Sequence, residues 1–203
     1  MVLTEKEIRA LQQSEQPLIA PFCEDQLQAA SYDITLGERV IAFDKRTRTI
    51  DLSGQEPQEL YTPSLLGPEG YCLGPNEFVL VELQECLTLP ADCVAHIRPR
   101  SRFTRLGLLV SGQHFNPTYS GKVPIGVFNA SPNTLILKQG IRLAQVVFER
   151  LSQAPDEDKL YRNKVNAAYM NEEQFRGAVL KEAGWSDNVR TLYKSVMDSL
   201  TRE

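Results

Sequence analysis

Val123-Pro-Ile-Gly-Val-Phe128, Leu135-Ile-Leu137 and Leu143-Ala-Gln-Val-Val-Phe148 are short apolar runs, the first two separated by Ser131-Pro-Asn133. β-branched and aromatic residues dominate them, and each run is too short for a helix, so each reads as a strand. The pattern continues upstream. Val40-Ile-Ala-Phe43, Phe78-Val-Leu-Val81 and Val94-Ala-His-Ile97 are further runs, with Gly67-Pro-Glu-Gly70 and Gly74-Pro-Asn76 as turn clusters. Short strands punctuated by Gly and Pro from about residue 18 to 150 predict a mainly β chain, a sandwich or barrel.

Both ends depart from that pattern. Thr4-Glu-Lys-Glu7 is a capping box leading into Ile8 and Leu11, and Pro17 ends the helical spacing. Gln153-Ala-Pro-Asp-Glu-Asp-Lys159 reads as a polar linker. Residues 171–182 then read as helix. Ser186-Asp-Asn188 caps a last helix whose Val189, Leu192, Tyr193, Val196 and Leu200 recur at helical spacing. The expected organisation is a β domain over 1–155 with an N-terminal helix, followed by a C-terminal segment and helical extension over 156–203.

The chain has 203 residues, 42% of them hydrophobic, enough for a substantial core, and a net charge of −4. That charge argues against a nucleic-acid polymer as partner, because such binding rests on an excess of Lys and Arg. Cys23, Cys72, Cys86 and Cys93 show no C-x-x-C spacing and the only histidines are His96 and His114, so zinc is not expected. The zinc-deaminase signature H-x-E…P-C-x-x-C is absent. Unpaired cysteines, no signal peptide and no apolar run of membrane length predict a cytoplasmic protein.

Against this acidic background, Arg98-Pro-Arg-Ser-Arg-Phe-Thr-Arg-Leu-Gly-Leu108 sets Arg100, Arg102 and Arg105 around the hydroxyl of Ser101. A guanidinium fork matches phosphate oxygens two at a time, and a hydroxyl completes an anion cradle. The alternative for an isolated cluster is a solvated turn.

Several segments in order resemble the dCTP deaminase branch of the trimeric dUTPase superfamily. Leu3-Thr-Glu-Lys-Glu-Ile-Arg9 followed by Pro21-Phe22 resembles its start, and Gln28-Ala-Ala-Ser-Tyr-Asp-Ile-Thr-Leu-Gly37 its first motif. Tyr71–Leu80 and Glu85–Asp92 resemble its middle strands. Pro99-Arg-Ser101 with Arg105-Leu-Gly107 is similar to its phosphate motif, and Gly140-Ile-Arg-Leu-Ala-Gln145 to the late motif whose Gln contacts phosphate. Tyr161–Tyr169 resembles the start of its lid. The resemblance runs from about residue 1 to 175. It implies a distorted β jelly-roll, a homotrimer with inter-subunit sites, and a deoxynucleotide triphosphate ligand that brings its own Mg2+. It also implies zinc-free conversion of dCTP to dUTP and ammonia, with a Glu as general base. Ser101 and Arg105 would position water and phosphate. Arg100, Arg102, Asn116, Gln145 and Tyr161 would hold the nucleotide.

The same comparison exposes departures. The glutamate position falls on Gly126, and the Asp of the I-D-x-x-Y/W-x-G motif falls on Asn116 in Phe115-Asn-Pro-Thr-Tyr-Ser-Gly121. Without the base, acid–base chemistry loses about 10²–10⁴ in rate. No acid lies between Asp92 and Glu149, so realignment recovers none. The base-reading loop at Ser111-Gly-Gln-His114 is about two residues short, the lid Lys falls on Ala168, and a lid Gln falls on Glu172. The first expectation is a dCTP deaminase-like hydrolase in which another group replaces the base. The second is a catalytically silent deoxynucleotide-binding or assembly protein, and dUTP diphosphatase action ranks third because it needs the Asp that Asn116 replaces.

Other residues carry two readings each. Asp33 positions water or metal, or closes an Asx hydrogen bond at a strand end. Gln145 meets phosphate or satisfies a backbone edge. His114 is the only candidate base in the altered loop, against a plain surface residue. His96 reads as a core or interface residue, Tyr169 as packing and Asn129 as a turn-closing residue. The last helix would pack in the trimer or meet a partner.

Overall fold

In a computed structural model the structure describes residues 1–43, 61–164, 167 and 169–171. The expected helices at 171–182 and 187–200, Ala168 and Glu172 lie outside the described residues or run beyond them. Helix α1 spans Glu5–Gln12 and buries Ile8. The Thr4 N–H donates to Glu7 Oε2 at 2.9 Å, the half of the capping box in which Glu7 reaches back.

Strands β1 (Ile19–Ala20), β2 (Leu27–Gln28), β3 (Ser31–Phe43), β4 (Tyr61–Leu65), β5 (Tyr71–Leu73) and β6 (Phe78–Thr88) come first. They are followed by β7 (Cys93–Pro99), the four-residue helix α2 (Ser101–Thr104), β8 (Leu108–Val110), β9 (His114–Phe115), β10 (Ser120–Asn129), β11 (Leu135–Leu137) and β12 (Arg142–Arg150). Ten strands form one sheet in the order β8-β10-β6-β3-β12-β7-β9, with β1 on β6 and β2 and β4 on β3, while β5 and β11 pair separately. Every pairing is antiparallel.

The sheet curls until its two ends meet. β8 and β9 lie at opposite ends of the path, yet only Ser111–Gln113 separates them in sequence. At that crossing the Ser111 N–H donates to Gly126 O at 2.8 Å, and the Ile97 N–H to Gln113 O at 3.0 Å. This half-barrel is the mainly β architecture expected from the strand pattern.

Alternation supplies its core. Tyr32, Ile34 and Leu36 of β3 point inward with Val79, Val81 and Leu83 of β6, Ile125 and Val127 of β10, and Val146 and Phe148 of β12. Burying each such side chain contributes about 1.5–3 kcal/mol. The sequence runs at 31–37 and 40–43 prove to be parts of one long strand, while Gln28 lies on β2 and folds back against Ser31. A Cβ at Gly37 would stand 3.1 Å from Glu82 O, so a glycine lets β3 pass close to β6 there.

Outward positions of β3, β12 and β7 then form one surface. Asp33 faces Gln145 across β3 and β12, and Gln145 faces Arg98 across β12 and β7. The chain leaves β7 at Pro99 directly above this row and turns into α2.

Candidate anion cleft and the altered catalytic positions

That turn places Arg100 over Asp33. Arg100 Nη1 lies 3.0 Å from Asp33 Oδ2 and donates to Arg142 O at 3.3 Å. Asp33 is only 3% exposed. Burial pushes its carboxyl above the ordinary value, against the downward pull of Arg100 and Arg142, so desolvation outweighs the ion pair. The pair holds the guanidinium of Arg100 at the mouth of a cavity of ≈ 330 Å³ lined by Gln28, Ser31, Asp33, Arg100, Ser101, Arg102 and Gln145.

The donors in this cleft outnumber the acceptors. Ser31 Oγ donates to Gln145 Oε1 at 3.2 Å, which fixes the amide so that its NH2 is left to a ligand. Arg102 is exposed, lies 5.7 Å from the centroid of the adjacent Phe103 ring, and has no ion-pair partner among the described residues. Among the described residues of the lining Asp33 is the only acidic side chain, and it is already engaged by Arg100. Such a site attracts an anion with several oxygens.

The structure brings Arg100, Ser101, Arg102 and Gln145 together with Asp33, and does not bring the other expected residues to them. Arg105 caps the far end of α2, is exposed, and lies outside the lining. Asn116 and Tyr161 meet each other's neighbourhood instead. Asn116 O accepts the Tyr119 N–H at 3.1 Å, and the Tyr161 N–H donates to Pro117 O at 3.1 Å. The Tyr161 ring centroid lies 5.8 Å from that of Tyr119. Within one subunit Tyr161 therefore packs on the 116–121 turn, and no lining residue of the cleft comes from this turn. The Tyr169 N–H donates to the Tyr161 hydroxyl at 3.3 Å, in keeping with a packing residue.

Gly126 is buried on β10. A Cβ there would lie 2.6 Å from Phe78 Cζ and 2.7 Å from Phe78 Cε2, so the Phe78 ring fills the space any side chain at 126 would enter. Phe78 stands opposite Phe128 in the β6–β10 register, diagonal to Gly126, and its ring also meets Phe43 at 5.7 Å. Ser111 Oγ accepts the Gly126 N–H at 2.8 Å, so this residue of the 111–114 stretch is bound to backbone.

His114 pairs with His96 across β7 and β9, with ring centroids 4.9 Å apart, and His96 Nε2 is 3.7 Å from Glu149 Oε1. Burial, then His114, push the His96 imidazole below its ordinary value. His114 does not line the cleft. Asn129 is fully buried and closes a turn. Its Nδ2 donates to Leu73 O and Asn133 O, and its Oδ1 accepts from Ser131 N and Oγ.

Sequence reasoning missed Gln28 and Ser31 as parts of the cleft, Arg142 as the carbonyl that holds Arg100, and Phe78 as the neighbour of Gly126. The period of two in β3 already puts residue 31 on the face of Asp33. Phe78 needed the register of β6 on β10, which no local pattern encodes.

A family model described as dCTP deaminase-like matches residues 2–151. A dCTP deaminase of Shewanella loihica is 32% identical over 186 residues, 86% of this chain and 95% of that protein. A dUMP-forming dCTP deaminase of Persephonella marina is 27% identical over 165 residues, 81% of this chain and 91% of that protein. Among solved structures, the 2'-deoxycytidine 5'-triphosphate deaminase of Agrobacterium tumefaciens superposes with a TM-score of 0.60 at 24% identity. It covers 74% of this chain, which spans 49% of that one.

Proposed function

The chain belongs to the dCTP deaminase-like family, and from the geometry of its cleft we propose that it binds a deoxynucleotide triphosphate there without the family's deamination. The observation that carries the binding is Arg100, held by Asp33 and the Arg142 carbonyl, beside Arg102 and the Gln145 NH2, neither of which has a side-chain partner for its N–H groups among the described residues. Two guanidinium groups, one hydroxyl and one amide offer several donors to phosphate oxygens, and the charge of Arg102 is not offset by Asp33, which pairs with Arg100. Mg2+ enters on the phosphates of the ligand, and the cleft's single carboxylate, already paired, adds no strong ligand to it.

The Asn116 turn and the phosphate cleft are separate patches of one subunit. A homotrimer with inter-subunit sites would bring the cleft of one copy to the turn of the next, which supports that assembly. Ser101 sits in the cleft and is the residue placed to hold phosphate or a water. Arg105 would act from the neighbouring copy or not at all.

Silence in deamination rests on Phe78. By the sequence resemblance the glutamate position falls on Gly126, and the side-chain space there is occupied by an aromatic ring. A ring carries no proton-accepting group, and the absence of acids from 93 to 148 leaves no substitute nearby in sequence. The ordered family segments favour the other reading, a hydrolase turning dCTP into dUTP and ammonia with a base drawn from elsewhere.

Calorimetry with Mg-dCTP, dUTP and inorganic tripolyphosphate tests the binding. Arg102→Ala removes an exposed cation with no ion-pair partner among the described residues, and loss of one charge-assisted contact is expected to weaken binding about tenfold or more. No heat from any of these anions at millimolar concentration would refute the proposal.

A further inference from the structure

Thr118 has φ +65°, a left-handed backbone that a β-branched residue rarely adopts. It follows Pro117 in the turn closed by Tyr119 N–H on Asn116 O, the type II pattern whose third position favours glycine. Thr118 is 8% exposed, and its Oγ1 accepts the Arg162 N–H at 3.0 Å. Glycine would relieve the backbone and lose that acceptor. The strained residue therefore buys a contact to a segment forty residues downstream.

That segment is built to receive it. Arg162 Nη2 lies 2.9 and 3.0 Å from the two oxygens of Glu157, and Asn163 Nδ2 donates to Glu157 O at 2.7 Å. Leu160 is 1% exposed. Tyr161 donates its N–H to Pro117 O and sets its ring against Tyr119, which itself packs on Phe115 at 4.8 Å. The Asn171 N–H then donates to Ser120 O at 2.8 Å. Residues 117, 118 and 119 are thus each contacted by Tyr161 or Arg162, in the strap of residues 157–164, and residue 120 by Asn171.

We propose that the Thr118 hydroxyl latches residues 157–164 onto the turn that carries Asn116, and that Thr118 and Tyr161 are positioning residues setting Asn116 for the nucleotide. The second clause rests on the nucleotide reading above; the latch does not. Trypsin reads the latch, because Lys159, Arg162 and Lys164 all lie in the strap. Calorimetry with Mg-dCTP reads the positioning.

Thr118→Val keeps the branched shape and removes the acceptor, and is expected to speed strap cleavage and weaken dCTP about fivefold each, the usual effect of one hydrogen bond. Thr118→Ser keeps the hydroxyl and is expected to match the wild type in both. Tyr161→Ala removes the ring that packs on Tyr119 while leaving every turn residue in place, and is expected to speed cleavage too. It serves as the second arm where Thr118→Val fails to fold. Cleavage rates unchanged in Thr118→Val, or in Tyr161→Ala if it alone folds, would overturn the latch. Faster cleavage with unchanged dCTP affinity would overturn the positioning role while leaving nucleotide binding intact. Wild-type protein that binds no dCTP would overturn the nucleotide reading and the positioning role together, with cleavage still deciding the latch.

Discussion

Gly126→Ala is the smallest change that probes the position where the sequence resemblance expects a glutamate. Its Cβ would stand 2.6 and 2.7 Å from Phe78 ring carbons and 3.2 Å from Ser111 Oγ. The ring can yield only by moving, and it is in contact with the Phe43 ring, centroids 5.7 Å apart. Overpacking of this kind costs about 1–3 kcal/mol. Gly126 has an ordinary φ, so alanine returns about 0.4–1 kcal/mol by restricting the unfolded chain. The net expectation is a loss of about 1–2 kcal/mol, read by urea denaturation at constant slope. Phe78→Leu should relieve it. In a double-mutant cycle, Gly126→Ala should then cost about 1 kcal/mol less than in the wild-type background. A Gly126→Ala protein as stable as wild type, or additive with Phe78→Leu, would refute the claim that the ring fills this space. It follows that Gly126→Glu alone is not expected to restore deamination, whereas Gly126→Glu with Phe78→Ala gives the carboxylate room.

Three further outcomes are expected. The Asp33 carboxyl, raised by burial, should titrate above 3.8 in a carbon-detected NMR experiment. The folded state then holds its proton more tightly than the unfolded state, so its contribution is full below the unfolded value and is lost as pH rises through the folded one; a midpoint at or below 3.8 would mean that Arg100 dominates. His96, lowered by burial and by His114, contributes stability that is full above 6.5 and lost as pH falls through its depressed value. His96→Gln should flatten the urea midpoint across that window, and an unchanged slope would contradict the assignment. Gly107 has φ +81°, and a Cβ there would lie 2.9 Å from Ser131 Cβ. Gly107→Ala should therefore cost about 1–3 kcal/mol from strain and contact together, measured by thermal melting.

The β architecture was legible because alternation and turn residues are local signals. Val79, Val81, Ile125, Val127 and Val146 were readable as strand residues one by one. Half of the anion cleft was readable too, since Arg100, Ser101 and Arg102 adjoin in sequence. Asp33 and Gln145 needed only the β3–β12 pairing to join them. What stayed hidden depends on long-range register or on the fold of distant segments. The Phe78 ring reaches Gly126 across a strand pair, and Thr118 meets Arg162 only once the C-terminal segment has docked. Tyr161 was expected at phosphate because its sequence resembles a lid, but in one subunit its ring has an apolar partner in Tyr119.

The most direct test of the central claim is an HPLC turnover assay of purified protein with Mg2+ against dCTP, dUTP, dCMP and CTP, run beside calorimetric binding of the same nucleotides. The account predicts that dCTP or dUTP binds and that no dUTP or dUMP forms above a heat-inactivated control. Production of dUTP from dCTP at ordinary enzyme rates would contradict it. That result would show that a group other than residue 126 supplies the base.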